Sequence, residues 1–98
     1  MESAYRTALL QELSLAGLRA LSEVSVGMNY KGVTIDCGYR ADILVEQKLL
    51  LELKTAERVL PIHHAQLLTY LKLAKLRVGL IINFNSIHLR DGIKRLVV

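Results

Sequence analysis

The sequence predicts an α/β domain, a mixed sheet flanked by helices, in the order α-β-β-β-α-β with a further short strand at the end. Three observations lead there. Two aliphatic runs, residues 49–54 and 78–84, are too continuous for one-faced strands and suit strands covered on both sides. Two longer segments, residues 3–17 and 61–75, carry apolar side chains at helical spacing. The turn signals Lys31-Gly32, Glu46-Gln47-Lys48 and Asp91-Gly92 cut the remainder into strand lengths.

Taken in order, residues 3–17 place Tyr5, Ala8, Leu9, Leu13 and Ala16 at i, i+3/i+4 positions, with Gly17 as the C-terminal stop. Residues 23–30 alternate polar and apolar, as a half-buried strand does, and Val33-Thr34-Ile35-Asp36 continues the meander. Residues 40–45 read as the next strand, 46–48 as a hairpin tip and 49–54 as a central strand. Pro61 can open a helix, because its missing N–H costs nothing at the first helical position. Leu67, Leu68, Leu71 and Ala74 then form its apolar stripe. Residues 78–84 give a second buried strand and 93–98 a short last one. No repeat, low-complexity tract or linker interrupts the chain, so residues 1–98 read as a single domain with one core.

Apolar residues make up 52% of the chain and aromatic ones 5%, so the core is packed mainly by Leu, Ile and Val. No stretch reaches the roughly 18 uninterrupted apolar residues of a membrane span. Met1-Glu2-Ser3 lacks the basic start and apolar run of a signal peptide. A lone cysteine excludes an internal disulfide and a thiolate metal cluster. Cys37 reads as a small packing residue rather than a nucleophile, and a cytoplasmic location is expected. The net charge of +4 permits a polyanionic partner without demanding one.

Charges inside buried strands are uncommon unless they are paired or bind an ion. Asp42 lies within Ala41-Asp42-Ile43-Leu44-Val45, and Glu52 and Lys54 within Leu49-Leu50-Leu51-Glu52-Leu53-Lys54. Side chains alternate along a strand, so Glu52 and Lys54 point the same way. With residues 46–48 as the tip, Asp42 falls close to opposite Glu52, where Cβ atoms stand roughly 4.5–5.5 Å apart. Two carboxylates that close repel unless a cation sits between them, and oxygen donors favour a hard ion such as Mg²⁺ or Mn²⁺. Lys54 would face the same point, placed to hold or deprotonate a water or to stabilise charge on a phosphate oxygen. The plainer alternative is an ion-pair cluster on a solvated sheet face, against which the apolar flanks of all three charges weigh. Arg40, two before Asp42, shares its face by strand alternation and can pair with a carboxylate or bind phosphate. Asp36 reads as a strand-end or turn residue, with a further acid near the site as the alternative. His63 and His64 are adjacent on a helix, about 100° apart, and cannot easily share one ion. Lys72, Lys75, Arg77, Arg90, Lys94 and Arg95 form the main basic clusters, either solvated surface or a nucleic-acid track.

These residues carry a family likeness. D-x9-E-x-K on a hairpin followed by a helix resembles the PD-(D/E)XK nuclease superfamily. Asp36-Cys37-Gly38-Tyr39-Arg40-Ala41-Asp42, Glu52-Leu53-Lys54, Leu60-Pro61-Ile62-His63 and Ala65-Gln66-Leu67-Leu68-Thr69-Tyr70-Leu71 resemble its small GxxExxY proteins. Asn83-Phe84-Asn85 and Asp91-Gly92-Ile93-Lys94-Arg95 extend the resemblance over nearly the whole chain. It implies a restriction-endonuclease-like α-β-β-β-α-β core with a metal site on the hairpin. Asp42, Glu52 and the Leu53 carbonyl would hold the ion. Glu2 and Tyr5 match the E-x-x-Y pair, and Glu2 would complete the site from the first helix. Gln66 and Tyr70 resemble the Q-x-x-x-Y motif of RecB-like nucleases, at a spacing that puts both on one helix face. His63 matches the family pattern too, to cap its helix or meet substrate. The family's leading Gly and preceding helix fall before Met1, so the chain reads as shortened at the N-terminus. Apolar surface left open there would suit a partner subunit, making a homodimer.

The expected function is therefore Mg²⁺- or Mn²⁺-dependent hydrolysis of phosphodiester bonds, in DNA before RNA. Asp42, Glu52 and Lys54 are the catalytic candidates, and Gln66, Tyr70 and Arg40 the substrate-binding ones. The alternative is a non-catalytic module that keeps the nuclease fold and binds nucleic acid or protein as a homodimer. A hydrolase of small phosphate esters would use the same site but need a closed pocket.

Overall fold

The chain forms α1 (Glu2–Leu15), β1 (Ala20–Tyr30), β2 (Val33–Val45), β3 (Leu49–Lys54), α2 (Pro61–Ala74), β4 (Val78–Asn83), a 3₁₀ turn (Leu89–Gly92) and β5 (Ile93–Val97). This computed structural model describes residues 1–98 except the side chain of Cys37, so the packing role expected for that cysteine lies outside what is described. The five strands lie in the sheet in chain order. Every neighbouring pair is antiparallel except β3 and β4, which run parallel. A parallel pair needs a crossover, and α2 supplies it.

The helices cover opposite faces. Leu67 and Leu71 of α2 are fully buried against Val26, Ala41, Leu44, Leu50 and Ile81. Leu9, Leu10 and Leu13 of α1 pack, partly buried, against Ile43, Val45, Leu51, Leu53 and Ile82 on the other side. Central strands β3 and β4 are thus apolar on both faces, which is why their sequences are aliphatic runs rather than alternations.

Three boundaries depart from the expected ones. Helix α1 ends at Leu15, two residues early, because the chain turns through Gly17 at φ +78° and Leu18 N–H returns to the Leu13 carbonyl at 2.9 Å. Strand β1 starts at Ala20, three residues early, because Ala20, Leu21 and Ser22 pair with Val45, Leu44 and Ile43. Strand β2 is continuous through Val33–Val45 instead of two pieces. The pieces join across a bulge in which Val26 faces Tyr39 while Gly27 faces Asp36, leaving two extra residues on β2. The Gly38 N–H donates to Asp36 Oδ1 at 2.8 Å, so Asp36 is the turn residue expected.

Beyond this bulge the β1–β2 ribbon continues past β3 as an arm. Register puts Met28, Tyr30, Val33 and Ile35 on one of its faces, all exposed. Among the described residues no helix is long and apolar enough to cross a membrane.

Candidate active site

Asp42 sits where the in-out alternation of β2 slips. Tyr39, Ala41 and Leu44 pack on the α2 side, whereas Ile43 and Val45 pack on the α1 side. The facing strand is irregular at the same level: Val24 pairs with Ala41 and Ser22 with Ile43, and Glu23 between them has φ +53°. The last regular pair between β2 and β3 is Ile43 with Leu51. Beyond it the Asp42 side chain turns across, and its Oδ2 accepts the Leu53 N–H at 2.7 Å.

Glu52 is half-buried on β3. Burial pushes its carboxyl up from 4.5 to about 7, against the attraction of Lys54 and the Asp42 backbone N–H directed at it; the negative charge of Glu2 adds to the rise. The hydroxyl of Tyr39 also donates to Glu52 Oε1. Lys54, Glu2 and the Asp42 backbone N–H therefore each lie near enough to act on Glu52, while the Asp42 carboxylate is engaged by the Leu53 N–H. The N–H and C=O of a strand residue point to the same edge. The Lys54 carbonyl accepts the Phe84 N–H at 2.9 Å on the β4 side, so the Leu53 carbonyl, like its N–H, faces Asp42.

The first turn of α1 is brought to this end of the sheet by Tyr5, whose ring stacks on Phe84 at 4.3 Å and 5°. A shallow pocket of about 250 Å³ opens there, lined by Met1, Tyr5, Thr55, Phe84 and Asn85. The loop after β3 is tied down by Asn83, the buried polar residue that ends β4. Its Nδ2 donates to the Ala56 carbonyl at 2.8 Å and its Oδ1 accepts the Asn85 N–H at 3.2 Å. Residue Gly92 is required by close approach, because a Cβ there would collide with the Asn83 carbonyl and Ser86 Oγ.

The remaining candidates are more scattered. Arg40 is exposed opposite Ser25, and it is the preceding Tyr39 that reaches Glu52. Gln66 is exposed, one turn before Tyr70. The Tyr70 ring packs against the α2-side core and stacks on Tyr39, centroids 3.2 Å apart and planes 13° apart. His63 caps its helix: Nδ1 accepts the Leu60 N–H at 3.0 Å. Lys72, Lys75, Arg77, Arg90, Lys94 and Arg95 are all exposed.

Two residues escaped the sequence reading. Tyr39 stands three residues before Asp42 in the stretch that resembles the family, yet only pairing across the sheet reveals its contact. Asn83 did leave a signal, an amide closing the aliphatic run Val78-Gly79-Leu80-Ile81-Ile82.

Among the described residues no three His, Cys, Asp or Glu side chains gather closely enough to enclose a metal ion by themselves. Two carboxylates and a backbone carbonyl nevertheless fit a hard divalent cation, because Mg²⁺ keeps several waters and is held by one or two carboxylates plus substrate phosphates. The rise at Glu52 comes mainly from burial, so an ion held there would have to displace the proton that burial favours.

Comparison with known proteins bears on the fold and the family. The chain matches the PD-(D/E)XK nuclease superfamily over residues 1–96. It is similar to the crystal structure of SSO0001, with a TM-score of 0.62 and 24% identity, covering 99% of this chain and 49% of that one. The chain thus spans about half the length of that structure, and at this identity the likeness shows the fold alone. No curated protein matches. The mixed five-stranded sheet with a helix on each face accords with the match over nearly the full length: the chain belongs to the PD-(D/E)XK nuclease superfamily.

Proposed function

We propose that the protein is a metal-dependent nuclease, of the GxxExxY kind, that hydrolyses phosphodiester bonds in DNA. The observation that carries this reading is the crossing of β2 and β3 at the motif, where the Asp42 carboxylate takes the Leu53 N–H and the Asp42 backbone N–H and the Lys54 charge act on Glu52. Asp42, Glu52 and the Leu53 carbonyl would hold Mg²⁺ or Mn²⁺, with Glu2 adding negative charge from α1. When bound, such an ion lowers the pKa of its water and offsets charge on the phosphate. The Lys54 ammonium orients the attacking water and steadies charge on the phosphate oxygens, while the water's proton passes to bulk solvent, which also supplies the proton of the leaving oxygen. The water oxygen bonds to phosphorus as the bond to the leaving sugar oxygen breaks, and that oxygen acquires a proton. Gln66 and Arg40, both exposed, contact the nucleic acid, and Tyr70 positions the site from α2.

The test is cleavage of labelled single- and double-stranded DNA with Mg²⁺ or Mn²⁺, comparing wild type with Lys54→Ala. The expected result is metal-dependent cleavage that falls about 100-fold or more in the variant. No cleavage by the wild type, or equal cleavage by both, rejects the reading.

A second reading is favoured by the arm. Its exposed Met28, Tyr30, Val33 and Ile35 form an apolar face, with the Lys31 ammonium 5.4 Å from the Tyr30 ring centroid, suited to a protein partner or a second copy of the chain. On this reading the chain is a non-catalytic binding module. Changing Tyr30 and Val33 to Ser would then abolish association, and Lys54→Ala would change no turnover.

A further inference from the structure

Glu52 is long, half-buried and close to the end of a strand, so its carboxylate keeps one position only if donors hold it there. Its donors come from β2: the hydroxyl of Tyr39 and the backbone N–H of Asp42. Tyr39 does not belong to the D-x9-E-x-K motif, yet it is fixed at both ends. Its backbone pairs with Val26, immediately after Gly38 at φ +72° closes the Asp36 turn. Its ring lies against Tyr70, with centroids 3.2 Å apart. Tyr70 in turn is carried by a helix whose Leu67 and Leu71 are fully buried. A continuous set of contacts therefore runs from the helix interior, through two rings, to one carboxylate oxygen.

We propose that Tyr39 is a positioning residue for Glu52, and that Tyr70 acts on the site through the Tyr39 ring. The phenol has two side-chain torsions and little freedom once stacked, so its hydroxyl presents a stable donor. With Oε1 taken up by the phenol, the second Glu52 oxygen is the one left to meet a cation. That consequence for metal binding rests on the nuclease reading; the positioning itself does not. The Tyr of the Q-x-x-x-Y pair thus influences chemistry without its ring lying on the nucleic acid, and Gln66 remains the exposed member of the pair.

The test uses the whole chain and begins without metal. NMR couplings reporting the Glu52 side-chain torsions are measured in wild type, Tyr39→Phe, Tyr70→Phe and Tyr70→Ala. One rotamer is expected in wild type and Tyr70→Phe, which keeps the stack, and averaged rotamers in Tyr39→Phe and Tyr70→Ala. Mn²⁺ titration should then give a dissociation constant weakened on the order of tenfold in the same two variants, the usual effect of losing a ligand's hydrogen-bond partner. The double variant Tyr39→Phe/Tyr70→Ala should be no weaker than the worse single one, because both remove one contact. Tyr39→Phe loses a single oxygen and is read even if Tyr70→Ala unfolds. An unchanged Glu52 rotamer in Tyr39→Phe overturns the proposal whether or not DNA is cleaved. Ordered Glu52 that loosens in Tyr39→Phe, in a protein that cleaves nothing, sinks the nuclease reading and leaves the positioning role standing.

Discussion

The Leu53 backbone N–H donates to Asp42 Oδ2 at 2.7 Å, so a side chain of β2 replaces a backbone rung in the ladder to β3. The same acid is thus both a strut of the hairpin and a candidate ligand. The two roles separate in different substitutions. Asp42→Asn keeps an acceptor for Leu53 while removing the charge, so Mn²⁺ affinity should fall on the order of 100-fold with a small stability change. Asp42→Ala should lose the metal and about 1–3 kcal/mol of stability besides, because a buried N–H is left unpaired. Titration calorimetry and urea denaturation read the two effects independently.

Glu52 makes stability depend on pH. Its carboxyl is raised to about 7 by burial, above the 4.5 of the free group. The folded chain therefore keeps a proton that the unfolded chain has lost. This contribution is fully present below pH 4.5 and is lost as pH rises through 7, up to about 3 kcal/mol in all. Without metal, the urea midpoint of wild type should fall between pH 5 and 8 relative to Glu52→Gln. Added Mg²⁺ needs the ionised carboxylate, so its stabilising effect should be larger at pH 8 than at pH 6. Parallel pH curves for the two proteins would contradict the assignment.

His63 separates capping from chemistry. Nδ1 accepts the N–H of Leu60, the residue before the helix. His63→Ala should cost about 1 kcal/mol in thermal or urea denaturation, as the loss of a helix cap does. The cleavage rate per folded molecule should not change. A large loss of rate with unchanged stability would return His63 to the substrate.

Gly92 and Asn83 connect the chain's last turn to the loop beside the site. Gly92→Ala drives a methyl into the Asn83 carbonyl and Ser86 Oγ. The expected cost is about 2 kcal/mol or more, as for overpacking elsewhere. Asn83 also holds the Ala56 carbonyl at 2.8 Å, so part of the damage should appear as lower affinity for DNA. Denaturation and binding isotherms on the same preparation test both.

Much of the fold was legible because local rules act at short range. The aliphatic runs of β3 and β4, Pro61 at the start of α2 and Gly17 beyond the end of α1 all lie where spacing and backbone preference put them. The pairing of Asp42 with the end of β3 followed from counting residues around the hairpin tip, since antiparallel register ties opposite positions to loop length. What failed was strict alternation. Arg40 shares a face with Asp42 only if β2 is regular, and β2 slips between Ala41 and Leu44 where Glu23 on β1 adopts φ +53°. No feature of β2 alone announces a slip set by its neighbour.

Sequence by itself determined the chemistry available: two acids and a lysine in aliphatic strands, at the spacing that a hairpin converts into proximity. Only the tertiary structure decided how that chemistry is held. Tyr39 meets Glu52, Tyr70 meets Tyr39, and Asn83 meets Ala56 across separations of 13, 31 and 27 residues. Such contacts depend on how a twisted sheet and its crossover helix pack, and packing is a property of the whole core rather than of any local stretch of chain.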